Sequence, residues 1–317
     1  MAKLTLAGLL IALPPLLTLP LAAQRTAPPP RQVALTFDDL PVTSGRCDAA
    51  HVEYVTAQLT GILRQRALPA AGLVTPAGEC TTPAMLQASL ERWQAAGAVL
   101  GNHSATHPDF NTTAVDAYLA NVDRAQRLID AAVRTESRWF RAPLLHTGNE
   151  PGKKAALRAH LAANGYRVAP VTVDNQEWVY AAVYADARRR GDAALARRVA
   201  DAYIEHLAEA MAFYERLSIA VFRREIPQVL LLHANLLNAE HLDRVVDMLD
   251  ARGYEFVGMP EALSDPAFGR EDSYVGPRGL SWLQRWALED GVPVPPEPRE
   301  AAWVAEAFRA VQRRVGR

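Results

Sequence analysis

Two adjacent carboxylates, Asp38 and Asp39, stand where a run of β character, Gln32 to Leu35, passes through Thr36 and Phe37 and stops at Leu40-Pro41. Neighbouring side chains on a strand point to opposite sides, so consecutive acids share one site only where the strand ends in a turn. Two negative charges held there call for a cation or a hydrogen-bond network; a pair of solvated turn carboxylates is the plainer alternative. His103 and His107 are four residues apart. On one helical turn both imidazoles face the same way and can grip a single metal, the alternative being a structural pair of surface histidines. With a carboxylate from a neighbouring strand end they make a two-histidine, one-carboxylate set. Such a set suits catalytic zinc or a similar divalent ion with open positions for water and substrate.

The elements that must position these residues alternate along the chain. Helix 50–65, with Val52, Val55, Leu59, Ile62 and Leu63 at helical spacing, is followed by strand 70–74 and a helix that starts at Thr82 and ends at Gly97. Strand 98–100 leads to His103, helix 113–133 follows, and strand 138–140 leads to Arg141. Helix 152–164 and strand 167–173 then lead to Asp174, Glu177 and Trp178. Residues 192–222 carry one long helical pattern, which at 1.5 Å per residue spans about 45 Å, more than a barrel crossover needs. It reads as an insertion. Strand 228–232 stops at His233, and helix 239–252 and strand 254–257 complete the series. Alternation without hairpin signals predicts an α/β fold with a parallel sheet covered by helices. The C-terminal strand ends of such folds converge on one face, so all the named polar residues are expected together there.

After Pro260 the pattern turns to loops and short helices. Trp282 and Trp286 mark a helix packed on the body, 292–298 is proline-rich, and Trp303, Val304, Phe308, Val311 and Val315 mark a final amphipathic helix. The 317 residues are 50% hydrophobic with 34 basic and 35 acidic side chains, so neither nucleic acid nor an anionic membrane is an electrostatically favoured partner. Lys3, the apolar run Leu4 to Leu21 and the small residues Ala22-Ala23 read as an export signal over 1–23, with 24–31 a flexible lead-in. Pro14, Pro15 and Pro20 disfavour a spanning helix, so no stable membrane insertion is expected after cleavage. A periplasmic or extracellular protein is therefore expected. There Cys47 and Cys80 can pair, contributing about 3–4 kcal/mol, the alternative being two buried thiols.

Taken in order, these motifs resemble the polysaccharide deacetylase family, the chitin, xylan and peptidoglycan deacetylases of carbohydrate esterase family 4 (the NodB-like domain), from about Gln32 to Val257. The resemblance implies a distorted (β/α) barrel, usually of seven strands, here over 32–260 with the long helical insertion and a helical C-terminal extension over 261–317. It also implies metal-dependent removal of N- or O-linked acetyl groups from an acetylated glycan. Thr36-Phe37-Asp38-Asp39 matches the first motif, with Asp38 as general base and Asp39 as metal ligand. His103 and His107 match the second and supply two further ligands. Arg141-Ala142-Pro143 resembles the third, whose arginine orients the base, and Asp174 to Trp178 the fourth. Leu231-Leu232-His233 resembles the fifth, whose histidine is the general acid. Leu40-Pro41 stands where the family has glycine, Glu177 where it has aspartate, and the third motif runs on through Leu144-Leu145-His146-Thr147-Gly148 without its usual tyrosine.

The implied chemistry is coherent. A divalent ion on Asp39, His103 and His107, zinc foremost with cobalt or nickel as substitutes, would polarise the carbonyl and activate water. Asp38, aimed by Arg141, would take the water proton, and His233, with Glu177 or else Asp174 stabilising its cation, would protonate the leaving group. Pro143 and Leu144 border the sugar cleft, a backbone N–H near Leu144 can help hold the oxyanion, and Trp178 and Leu231 can wall an acetyl pocket. His146 either touches substrate or is an exposed loop residue; His51, His160, His206 and His241 take no role. A hydrolase of a non-sugar amide on the same barrel and a non-catalytic glycan-binding protein are the rival functions.

Overall fold

The computed structural model of the chain describes residues 1–2, 30–43, 48–78, 81–135 and 138–315. The expected export segment and both cysteines of the expected disulfide lie outside these residues. Strand β1 (Arg31–Leu40) is buried along nearly its whole length and is followed by α1 (Ala49–Gln65), β2 (Ala70–Val74), α2 (Pro83–Ala95) and β3 (Val99–Asn102). Then come α3 (Val115–Ala132), β4 (Trp139–Phe140), α4 (Pro151–Ala163) and β5 (Arg167–Val168). The second half holds α5 (Glu177–Arg189), α6 (Ala193–Phe222), β6 (Gln228–His233), α7 (Leu236–Ala251) and β7 (Tyr254–Phe256). The extension contributes α8 (Met259–Ala262), α9 (Trp282–Glu289) and α10 (Ala302–Val315).

All strand pairings are parallel, in the order β5-β4-β3-β2-β1-β6, with β7 beside the start of β1. The sheet curls toward closure where Val173 bridges Leu230 and Leu231 N–H donates to Val173 O. This is the expected α/β fold, a distorted parallel barrel of seven strands. Its core is the run of apolar strand residues such as Val33, Leu35, Phe37 and Leu230 packed under helix faces such as Leu59, Leu90 and Leu242. Caps set the helix starts: Thr82 and Pro83 open α2, and Ser281 and Gln284 form a reciprocal capping box on α9. Among the described residues no helix is long and apolar enough to cross a membrane.

Two expectations about elements are corrected. Strand 167–173 is only Arg167–Val168 plus the single bridge at Val173. Between them the carbonyls of Ala169 and Pro170 accept hydrogen bonds from the Arg141 guanidinium, and Pro170 has no N–H to give a ladder. Helix α5, absent from the sequence reading, begins directly at Glu177; its buried Val179, Tyr180, Val183, Tyr184 and Ala187 lie on one helical face, a period present in the sequence. The long pattern at 192–222 is the 30-residue α6, which packs against α5, α7 and α9.

Candidate active site

Both acids reach one site through a bulge, not through an early strand end. The pairing of β1 with β2 shifts register between Phe37 and Leu40, and Asp39 sits at φ 62. A bulge turns one extra residue out of the alternation, so Asp39 swings to the side that Asp38 already faces. Thr43 and Thr75 hydroxyls donate to the two Asp39 oxygens at 3.2 and 3.1 Å.

Asp38 and Arg141 form the deepest contact. Thr36 and Asp38 share a strand face, and Arg141 Nη1 donates to Thr36 Oγ1 at 2.9 Å and to Asp38 Oδ1 at 2.6 Å. Arg141 is fully buried and Asp38 is 2% exposed. With Nε and Nη2 bonded to the carbonyls of Ala169 and Pro170, the guanidinium is held flat and cannot follow a moving partner.

His103 and His107 do converge, but on a turn instead of a helix. Ser104 and His107 take φ values of 65 and 55, and the ring centroids lie 5.1 Å apart. Two asparagines that the sequence reading passed over build this turn. Asn102 Oδ1 accepts from Ser104 N–H at 2.8 Å. Asn121 Oδ1, on α3, accepts from the N–H groups of Ala105 and Thr106 at 2.7 and 3.2 Å. His103 Nδ1 lies 2.9 Å from Arg141 O, so it carries the proton and leaves the Nε2 lone pair for a ligand. His103 Nε2 and His107 Nε2 each lie 3.8 Å from Asp39 Oδ1. Burial depresses the His103 pKa against the pull of Asp38 and Asp39, which favours the neutral, ligating ring. Two imidazole nitrogens and one carboxylate oxygen, all within 4.8 Å of one another, fit a divalent cation by donor type and spacing.

Opposite this set, β6 is in register with β1 so that His233 stands beside Asp38. Glu177 Oε2 lies 2.7 Å from His233 Nδ1, while Oε1 accepts from Asn238 at 3.0 Å and from Asn235. Asn175 Oδ1 accepts from Glu177 N–H at 2.8 Å and seats the start of α5. Burial alone would lower the His233 pKa; the Glu177 charge and hydrogen bond, with Asp39 and Asp38, overcome it and push the value up to about 10. Asp174 makes no such contact: burial raises its own pKa to about 7 and its Oδ1 accepts from Asn175 N–H.

Asp38, Asp39, His103, His107, Asp174 and His233 line one groove of about 1180 Å³, with Arg141 bonded behind Asp38 and Glu177 behind His233. Leu231 lies in its wall. Trp178 also borders it, but the ring stands edge-on to Phe308 of α10 at 5.2 Å and 48% of the residue is exposed, so it forms an outer rim rather than a closed acetyl pocket. Pro143 is buried, and the wall at this loop is made by Leu144, Leu145 and His146. His146 is no stray loop residue. Its Nδ1 lies 2.7 Å from Asp109 Oδ1. Burial works against the ionised Asp109, yet the His146 hydrogen bond leads the contacts that hold its carboxyl below the ordinary range. His51 borders the groove as well, whereas His160, His206 and His241 are taken up by Asp123, Gln176 N–H and Tyr184.

Residues 25–169 match the polysaccharide deacetylase family model. No curated protein matches the chain. Among solved structures, the chitin deacetylase of the fungal pathogen Colletotrichum lindemuthianum is 19% identical over 74% of this chain and 88% of its own, with a TM-score of 0.50, a likeness of fold. A family 4 carbohydrate esterase from Streptomyces lividans, in complex with acetate, is 23% identical over 72% and 92%, with a TM-score of 0.47. The wild-type family 4 pseudoenzyme BA3943 of Bacillus anthracis is 18% identical over 75% and 66%, also at 0.47.

Proposed function

We propose that this chain, whose residues 25–169 are polysaccharide deacetylase sequence, is a metal-dependent hydrolase that removes N- or O-linked acetyl groups from an exported or cell-surface glycan. The observation that carries the reading is the convergence of three units on one groove: the Asp38–Arg141 pair, the Asp39, His103 and His107 donors, and the His233–Glu177 pair.

A divalent ion on Asp39, His103 and His107, zinc most simply, supplies Lewis-acid polarisation of the acyl carbonyl and lowers the pKa of water. The rest is the work of the side chains. Arg141 holds Asp38 by Oδ1 and aims it, so Asp38 Oδ2 is the oxygen left to take the proton of the attacking water. Water oxygen bonds to the carbonyl carbon, and as the carbon–nitrogen or carbon–oxygen bond breaks, His233 Nε2 gives its proton to the departing amine or alcohol. Acetate and the free sugar group remain. Glu177 stabilises the imidazolium before transfer and fixes Nδ1–H, leaving Nε2 as the nitrogen that faces the reaction.

Export to the periplasm or the cell exterior forms part of the proposal and rests on Lys3 and the apolar run after it. The test is acetate release from chitooligosaccharides, peptidoglycan and acetylxylan by the wild type and Asp38→Asn. Release that the variant loses is expected. Release from a simple non-sugar acetamide but from none of the glycans would move the substrate class, and glycan binding without release from any substrate would overturn the enzyme reading.

A further inference from the structure

The loop after Arg141 forms an irregular part of the groove wall. Leu144 and Leu145 both adopt left-handed backbone, at φ 57 and 54. Branched side chains avoid that region, so the loop does not hold itself in this shape. It nevertheless places Leu144, 51% exposed, and His146 in the groove wall. Within the loop only Leu145 N–H to Ala142 O and His146 N–H to Pro143 O, each at 3.0 Å, brace the turn.

The outside support comes from the C-terminal extension. Arg285, on α9, is 1% exposed at its side chain and donates from Nη2 to Leu145 O at 2.6 Å and from Nη1 to Thr147 Oγ1 at 3.0 Å. Asp272 Oδ2 lies 2.6 Å from Nη1 and is shared with Lys154 Nζ at 2.8 Å, Leu280 O accepts from Nε at 2.9 Å, and the Trp282 ring centroid lies 4.1 Å from the guanidinium carbon. Gly279 touches the other side of the loop: a Cβ there would stand 1.9 Å from Leu144 O. Asn111 Nδ2, next to the Asp109 that holds His146, donates to Pro277 O at 2.9 Å. A buried arginine needs one carboxylate for its charge. Here two further bonds go to the loop that holds left-handed Leu144 and Leu145, and the planar fork matches that geometry as an ammonium cannot.

We propose that Arg285 is a positioning residue for the hydrolysis: it clamps residues 143–148 so that Leu144 and His146 meet the sugar beside the scissile acetyl group. The extension after Pro260 is then part of the substrate site, and with Gly279 it takes over the shaping of a loop that lacks the third motif's tyrosine. The inference rests on the glycan hydrolase reading for its consequence, but the clamp itself is independent of it.

Hydrogen exchange of the amides in 143–148, thermal unfolding, and kcat and KM on an acetylated chitooligosaccharide and on a small aryl acetate ester separate the possibilities. The variants are Arg285→Met, Arg285→Lys and Gly279→Ala, with Arg270→Ala as a control that breaks the ion pairs to Asp290 and Glu289 and the contact with the Phe222 ring, none of which touches the loop. Arg285→Met is expected to speed exchange in 143–148 and raise KM for the oligosaccharide by about tenfold or more, with kcat on the small ester changed less than about twofold. Arg285→Lys should not restore KM, and Arg270→Ala should leave both substrates unaffected. If Arg285→Met does not fold, Gly279→Ala carries the test, since it displaces Leu144 O without removing a buried charge. Unchanged loop exchange in the variants, or lowered stability with the wild-type KM on the oligosaccharide, overturns the clamp. A wild type that releases no acetate while the variants still loosen the loop would instead sink the hydrolase reading.

Discussion

Glu177 Oε2 and His233 Nδ1 lie 2.7 Å apart, and the other Glu177 oxygen is fully occupied by Asn235 and Asn238. The carboxylate therefore has one orientation, and the imidazole is fixed with it. Of the two acids that follow the fifth strand, this one and not Asp174 makes the hydrogen bond to the histidine.

That contact sets a pH signature. The raised His233 pKa keeps the ring protonated from its ordinary 6.5 up to about 10, so its proton is lost on the alkaline side. A cation on Asp39 pulls the loaded enzyme's value down, and the direction of change is what the variants read. Glu177→Gln is expected to move the alkaline limb of kcat to lower pH, with Asp174→Asn moving it less. The same sign holds for stability: the pair's contribution is complete below pH 6.5 and fades as pH rises through about 10. Profiles of kcat against pH at saturating metal decide the matter; an unmoved limb in Glu177→Gln rules out its role.

Arg141→Met should be costly in two ways. It strands Asp38 as a buried, unpaired charge, a loss of about 3–5 kcal/mol of stability. It also leaves the base unaimed, lowering kcat by about 10²–10⁴. Denaturant unfolding of Arg141→Met, Asp38→Asn and the double variant should show strong coupling, the double variant being less destabilised than the sum. Additive losses would mean the pair does not act as a unit.

Metal binding is expected at one site per chain. Equilibrium dialysis against zinc should give one bound ion in the wild type and none in His103→Ala or Asp39→Asn. Exhaustive chelation should abolish acetate release, with zinc, cobalt or nickel restoring it. Full activity in protein verified free of metal would refute the assignment.

Gly101, two residues before His103, tests how tightly the strands that carry the site are packed. A Cβ there would meet Leu73 Cδ1 at 2.6 Å and Trp139 Cβ at 2.9 Å. Gly101→Ala is expected to cost about 1–3 kcal/mol of stability, because β3 must separate from its neighbours to admit it. Calorimetry should show a lower Tm; a wild-type Tm would mean that β2 and β4 yield freely at this point.

Much of this protein was legible in residue order alone. Strand ends are marked by the change from apolar to polar residues, so Asp38, Asp39, His103, Arg141, Glu177 and His233 could be placed on one face of a parallel fold. Helical periodicity likewise located α6 and α10, because burial on one face leaves a repeat that composition preserves. What tertiary structure decided was backbone hand and partner choice. The bulge that turns Asp39 beside Asp38, the left-handed Ser104 and His107, and the break of strand five under Arg141 depend on bonds to distant residues, Thr75, Asn121 and Pro170 among them. The choice of Glu177 over Asp174 turned on where α5 begins, and the engagement of Arg285 with Leu145 joins residues 140 positions apart. No local pattern encodes such pairs, since a hydrogen bond is selected by which groups the folded chain brings within reach and not by their spacing along it.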